Sequence, residues 1–137
     1  RHDMVHIDIT YEGGLRTRAV HGPSGTVLIT DPPLDNQGQG ESFSPTDLVA
    51  TGLGTCMLTI MGIVAERHGW PMAGASARVV KKMAADPRRI AELEVVIRVP
   101  GGHDERARTT LERAAHGCPV HTTLDGKVAM PVRFEWL

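Results

Sequence analysis

The chain has 137 residues, of which 15 are basic and 16 acidic, and a formal net charge of −1 at pH 7. The balanced charge argues against a surface for nucleic acid or membrane phosphates, and an aromatic content of 4% argues against base stacking. This length suits one domain with its own core, so we predict a single domain over 1–137. Residues 1–3 are interpreted as left over from expression, with Met4 as the natural start.

Apolar and polar residues alternate over residues 4–10, which predicts a half-buried strand. A glycine turn leads into a second strand over 15–21, and a third is expected over 26–30. Residues 31–42 are rich in proline, glycine, asparagine and glutamine, which predicts a loop.

A long helix is predicted over 44–69. Ser44 suits the N-cap, Gly69 suits the C-terminal end, and residues 48–65 between them carry no charge. Cys56 stands near the middle of this run.

The uncharged run is at the lower length limit of a membrane span, but its threonines and glycines reduce its hydropathy. A helix that is apolar on every side is also typical of an enclosed core helix, and glycines let another backbone approach closely. We therefore predict a core helix that a second subunit helps to cover, and no membrane contact.

The second half of the chain predicts strands over 73–84 and 90–99, a helix over 104–116, a short helical turn from Cys118 and a final strand over 127–136. This order is typical of the α+β class with a largely antiparallel sheet.

Cys56 is interpreted either as a small buried core residue or as a reactive thiol. The reactive alternative needs a nearby cation to favour the thiolate, and Arg16 or Arg18 on the second strand could supply it. Either arginine is also compatible with a merely solvated strand position.

Cys118 precedes a proline-initiated helical turn, where the helix dipole lowers a thiol pKa; the alternative is again a buried small residue. With His116 and His121 it forms an HxCxxH pattern, half of a zinc site that Cys56 or His21 would complete. The spacing lacks paired ligands, so we predict no metal. No secretory signal is recognised, so we predict a cytoplasmic protein, where cysteines are more often catalytic or metal-binding than permanently paired.

Four stretches resemble a known family. The region around Cys56 is SPTDLVATGLGTCMLTIMGIVAERHG, and that around Cys118 is AAHGCPVHTTL; YEGGLRTRAVHGPSG and TDPPLDNQGQGESFSP precede them. Over nearly the whole chain the sequence resembles the OsmC/Ohr family (osmotically inducible protein C and organic hydroperoxide resistance proteins), and the two preceding stretches resemble its OsmC-like branch.

The resemblance implies curved antiparallel sheets around a long buried cysteine-bearing helix, in an intertwined homodimer. It implies a thiol-dependent peroxidase for organic hydroperoxides, with no bound cofactor and an external dithiol reductant of the lipoyl type. Cys56 matches the peroxidatic cysteine and Cys118 the resolving one. Arg16 matches the activating arginine, with Arg18 as the alternative.

One position departs from the family. Where the family has a glutamate that pairs with the arginine, this chain has Thr46, and Asp47 or Glu41 is the candidate substitute. The apolar side chains of Leu53, Met57 and Ile60 are expected to form the walls of a pocket for alkyl or lipid hydroperoxides.

Two alternatives to the peroxidase remain. One is a redox-sensing or small-ligand-binding dimer with little turnover, and the other is a zinc-stabilised structural protein that uses both cysteines with His116 or His121.

Overall fold

A computed structural model describes residues 4–137; residues 1–3, the segment expected to precede the natural start, lie outside the described residues. The chain forms two compact units, residues 1–48 and 49–137. A single domain over 1–137 stays a prediction.

The first unit contains the three predicted strands, β1 (Ile7–Gly13), β2 (Arg16–His21) and β3 (Val27–Thr30). They form an antiparallel sheet in the order β1-β2-β3. The prediction that the first strand is half-buried is wrong, because every residue of β1 is exposed. As an edge strand of a three-stranded sheet, β1 leaves its apolar side chains uncovered in this chain.

Helix α1 (Pro45–His68) confirms the predicted long helix. Ser44 and Asp47 form a reciprocal cap: the Ser44 amide donates to Asp47 Oδ2 at 2.9 Å, and the Asp47 amide donates to Ser44 Oγ at 3.1 Å. At the other end Gly69 adopts a φ of 70°, a conformation that glycine reaches without steric cost.

One stripe of α1 is buried, and its members recur at helical spacing: Ala50, Leu53, Gly54, Met57, Met61 and Ala65. The rest of the helix is not covered within the single chain, and its enclosure with the help of a second subunit stays a prediction. Thr51, Thr55 and Ile63 are exposed, and only 33% of the most apolar 18-residue window is buried. By length and composition alone α1 could cross a membrane, a test that core helices of soluble proteins also pass.

The second unit contains the other sheet, built from β4 (Ser76–Ala84), β5 (Arg89–Val99) and β6 (Val132–Trp136) in that order. β4 and β5 are antiparallel, but β5 and β6 are parallel, which corrects the expectation of antiparallel sheets. The physical reason is the connection: two helices lie between β5 and β6, and such a crossover returns the chain in the same direction.

These connecting helices are α2 (Glu105–His116) and α3 (Pro119–Leu124), as predicted. Asp104 caps α2 by accepting the Ala107 amide at 2.9 Å. β6 is shorter than the predicted final strand of 127–136.

The core of the second unit lies between the α1 stripe, α2 and one face of β5. That face carries alternate residues without exposed surface, as the period of two predicted: Leu93, Val95, Ile97 and Val99. Cys118 is part of this core, and Cys56 packs against it.

Candidate active site: a cysteine pair and an arginine–carboxylate cluster

Cys56 lies on α1 beside the buried stripe, one residue before Met57. It is half-buried and packs against the core, so it is neither sealed in the interior nor fully exposed. Its position follows from helical geometry, because the residue next to a buried stripe sits at the margin of the interface.

Cys118 has no exposed surface and stands at the N-cap of α3. Its Sγ accepts the His121 amide at 3.3 Å, and Pro119 occupies the first helical position. Local sequence thus fixes the direction of the thiol: the proline starts the helix, and the cap turns Sγ toward the helix N-terminus.

The two thiols are neighbours. Burial raises the pKa of Cys118, a hydrogen bond and charge interaction with the Cys56 side chain raise it further, and the amides of His121 and Val120 lower it. The amides at the helix start thus lower this pKa as predicted, but burial outweighs them and the net shift of the Cys118 pKa is upward. Both cysteines are free thiols, and the structure brings them together within the second unit.

Arg16 begins β2 in the first unit, and its Nη2 atom contacts two carboxylates. It lies 3.4 Å from Asp31 Oδ2 and also pairs with Glu41 Oε1. Of the two carboxylates predicted to pair with Arg16, Glu41 contacts its Nη2 atom; the Asp47 carboxylate accepts the amide of Ser44. The action of Arg16 on Cys56 stays a prediction.

Asp31 was not singled out from the sequence. It follows β3 directly and has no exposed surface. Its Oδ1 accepts the Gln39 amide at 3.2 Å, and its Oδ2 accepts the Glu41 amide at 2.9 Å. The Glu41 amide is the main cause of a lowered Asp31 pKa; the Gln39 amide and Arg16 add to it, and together they outweigh burial.

Gly38 shapes the loop around Asp31. A Cβ built on Gly38 would lie 1.8 Å from the Pro32 carbonyl oxygen, so only glycine allows this close approach. The run of glycines in 31–42 indicated a loop, but nothing in it indicated that the loop wraps a carboxylate.

The remaining predicted residues take other positions. Arg18 is exposed and forms no ion pair with residues 4–137. Leu53 and Met57 have no exposed surface, and Ile60 is partly buried against the same core. Leu53 and Met57 belong to the packed interior of the second unit, and the role of these three residues as walls of a substrate pocket stays a prediction.

An apolar groove of about 510 Å³ lies on the sheet of the first unit. Its lining comes from one face of β1–β3 and from the first turn of α1: Ile7, Ile9, Ala19, His21, Ser24, Thr26, Leu28 and Leu48.

The zinc alternative lacks a ligand set. Among residues 4–137, no three His, Cys, Asp or Glu side chains are grouped so as to hold a metal ion. The rings of His116 and His121 instead contact each other edge to face, with centroids 5.7 Å apart.

Comparison with known proteins identifies the family. A model of the OsmC-like protein family matches residues 38–133. A crystal structure from Psychrobacter arcticus, provisionally described as an osmotic stress induced and detoxification response protein, is 42% identical, covers 98% of each chain and gives a TM-score of 0.92.

More distant structures share the fold. An OsmC-like protein from Mycoplasma pneumoniae is 15% identical, with 98% of each chain covered and a TM-score of 0.84. An organic hydroperoxide resistance protein from Legionella pneumophila is 19% identical over 98% of this chain and 99% of its own, with a TM-score of 0.74. No protein of curated function matches the chain. The family model and the Psychrobacter structure show that the chain belongs to the OsmC-like protein family.

Proposed function

We propose that the protein is a thiol-dependent peroxidase that reduces organic hydroperoxides, with Cys56 as the peroxidatic residue and Cys118 as the resolving residue. The observation that carries the proposal is that two free thiols, one half-buried and one fully buried, lie close enough for Cys56 to raise the pKa of Cys118. The Legionella protein of the same fold is named for organic hydroperoxide resistance, which supports the choice of substrate class.

The reaction has three balanced steps. The Cys56 thiolate attacks the distal oxygen of the hydroperoxide, the O–O bond breaks, and the alkoxide takes a proton to leave as alcohol. The resulting sulfenic acid condenses with the Cys118 thiol, which forms a disulfide and releases water. An external dithiol then reduces this disulfide by exchange and is itself oxidised to its cyclic disulfide.

The environments of the two thiols suit this division of tasks. Cys56 has exposed surface at which a substrate can arrive, whereas Cys118 has none. The raised pKa keeps Cys118 protonated at neutral pH, so it is protected from direct oxidation until Cys56 has reacted. The partly buried apolar side chain of Ile60, one helical turn after Cys56, favours an alkyl or lipid hydroperoxide over hydrogen peroxide.

Arg16 is the proposed cation that favours the Cys56 thiolate, with Arg18 as the alternative. An opposite charge within a few ångströms lowers a thiol pKa by about one to three units, which offsets a moderate burial effect. No bound cofactor is required, and a lipoyl-type dithiol in the cytoplasm would serve as reductant.

A homodimer is part of the proposal, because the chain leaves one side of α1 uncovered. Thr55 and Thr59 on that side donate their hydroxyls to helix carbonyls at 2.7 and 2.8 Å, so the side is apolar without unsatisfied donors. Gly52 and Gly62 have open space around them, which lets a second copy approach closely. Light scattering during gel filtration tests this: a monomer at micromolar concentration contradicts it.

The test of the peroxidase is turnover of cumene hydroperoxide against hydrogen peroxide, with dihydrolipoamide as reductant. We expect faster turnover with cumene hydroperoxide, loss of activity in Cys56→Ser, and unchanged activity in the control Ser24→Ala outside the site. Full activity in Cys56→Ser contradicts the proposal.

A redox sensor is the second candidate, favoured by one observation: Thr46 stands in the first turn of α1, where the family has a glutamate. Stoichiometric oxidation of Cys56 without turnover indicates the sensor. Bound zinc near one equivalent, lost in either cysteine variant, contradicts both redox functions.

A further inference from the structure

Helix α3 depends on Cys118 for its start. The Cys118 Sγ atom caps the helix by accepting the His121 amide at 3.3 Å. The helix has only six residues, and helices shorter than about 12–15 residues are marginal in water without further support. None of these six residues, all of which the structure describes, is fully buried; Val120 and Leu124 are partly buried against the core. The cap is therefore a large part of what holds the first turn of α3.

The sulfur that caps α3 is also the sulfur that pairs with Cys56 in the proposed reaction. In the structure Cys118 is a free thiol that interacts with the Cys56 side chain through a hydrogen bond. A disulfide requires about 2.05 Å between the two sulfur atoms, which is shorter than any contact between unbonded sulfurs. The two Sγ atoms therefore have to move toward each other when the disulfide forms.

The surroundings of the two cysteines indicate which of them moves. Cys56 lies in the interior of a helix of 24 residues that has six buried residues in the core. Cys118 lies between two helices, where its amide donates to the Ala115 carbonyl at 3.3 Å, and the helix that follows it has no fully buried residue among residues 119–124, which the structure describes. The displacement therefore falls on the Cys118 side chain and on α3 rather than on α1.

We propose that α3 is a redox-sensitive switch: when the disulfide forms, Cys118 Sγ leaves the His121 amide and the first turn of α3 loosens. This inference rests on the proposed function, which supplies the disulfide. The Cys56 sulfenic acid condenses with the Cys118 thiol, the S–S bond forms, and water leaves. When the external dithiol reduces the disulfide by exchange, both thiols return and Cys118 Sγ caps α3 again.

The ring of His121 connects this change to the surface. It contacts the His116 ring edge to face with centroids 5.7 Å apart, and His116 in turn contacts the Phe134 ring at 6.0 Å. His116 is exposed, whereas Cys118 has no exposed surface. Loosening of the first turn of α3 displaces His121 from His116, so the oxidised molecule differs from the reduced one at its surface. This is the difference that the external reductant has to recognise.

The experiment compares the hydrogen exchange of single amides in the reduced and the oxidised wild-type protein by NMR. One equivalent of cumene hydroperoxide prepares the oxidised form, and diamide, which takes two hydrogens from a thiol pair, prepares it without a peroxidase step. We expect the His121 amide to exchange about fivefold faster after oxidation, as the loss of a typical N-cap predicts. The Ala107 amide, which Asp104 caps in α2, is the matched control and keeps its rate. Dithiothreitol restores slow exchange at His121.

Three variants separate the cap from the disulfide. Cys118→Ser keeps an acceptor at the N-cap but cannot form the disulfide, so the His121 amide exchanges slowly before and after oxidation. Cys118→Ala has no acceptor, so this amide exchanges fast in both conditions. Cys56→Ser keeps the Cys118 cap and lacks the disulfide partner, so exchange stays slow. The wild-type comparison needs no substitution, so a variant that fails to fold leaves the test intact.

Several outcomes overturn the inference. They are an unchanged His121 rate in a protein whose mass has fallen by two hydrogens, an equal acceleration at Ala107, and slow exchange in a folded Cys118→Ala variant. When diamide forms the disulfide and accelerates exchange at His121 but cumene hydroperoxide is not turned over, only the proposed function fails. When turnover depends on Cys56 and the His121 rate ignores the disulfide, only this inference fails. When neither oxidant joins the two cysteines, both fail.

Discussion

The cysteine pair of the second unit and the cluster of Arg16, Asp31 and Glu41 in the first unit both contain a group without exposed surface, yet the pKa values of these two groups shift in opposite directions. Cys118 lies among apolar side chains, and burial raises its pKa. Asp31 is surrounded by backbone amides and a guanidinium, and its pKa is lowered. Burial therefore does not decide which form of a group is favoured; the donors around it do.

The largest effect is expected from the core beneath the cysteine pair. Met57→Ala removes a fully buried side chain and should reduce the free energy of unfolding by about 2–5 kcal/mol. Met4, which is 88% exposed, provides the same substitution as a control with an expected change below about 0.5 kcal/mol. Urea unfolding measures both, and equal effects would show that apolar packing does not hold the cysteine helix.

The next effect concerns the loop around Asp31. Gly38→Ala places a methyl group against the Pro32 carbonyl and should cost about 1–3 kcal/mol while it displaces the loop. Gly40→Ala is the comparison: Gly40 has a φ of 65°, and a Cβ there would meet its nearest backbone atom, Leu34 N, at an ordinary contact distance of 3.7 Å, so about 1 kcal/mol is expected. Thermal unfolding ranks the two variants, and a Gly40 effect larger than that of Gly38 contradicts the described loop.

The sequence predicted the parts of the molecule that periodicity controls. The α1 stripe follows a period near 3.6, the inner face of β5 follows a period of two, and the caps at Ser44 and Asp104 are local patterns. These features depend on residues a few positions apart in the sequence, so the sequence alone was sufficient to predict them.

The features that sequence reasoning missed depend on distant segments. Asp31 became recognisable only once the amides of Gln39 and Glu41 converged on it, which requires the folded loop. The exposure of β1 depends on what covers the sheet, and the parallel pairing of β5 with β6 depends on where the crossover returns. A local pattern contains none of this information.

Acid titration provides a smaller test of the first unit. The pKa of Asp31 is lower in the folded state than in the unfolded chain, where an aspartate has a pKa of about 3.9. The charged carboxylate therefore stabilises the folded state above that pH, and the contribution is lost as pH falls through the lower folded-state pKa. The amides of Gln39 and Glu41 should therefore remain protected from hydrogen exchange down to about pH 4. Loss of their protection well above that pH contradicts the assignment of Asp31 as a charged anchor.

Alkaline titration provides the corresponding test of the second unit, with the smallest expected effect. The raised pKa means that the folded state favours the protonated Cys118 thiol. This stabilises the folded protein at any pH below the thiol pKa of the unfolded chain, and the contribution is lost as pH rises through the higher pKa of the folded state. Stability should fall above about pH 9 in the wild type and fall less in Cys118→Ala. Identical pH profiles for the two proteins contradict a buried, protonated Cys118.

The contact between Cys56 and Cys118 is the central claim, and intact mass spectrometry after one equivalent of cumene hydroperoxide tests it most directly. The predicted product has lost two hydrogens and both free thiols, and peptide mapping places its disulfide between Cys56 and Cys118 of one chain. A Cys56 sulfinic acid beside an unreacted Cys118 thiol would contradict the account.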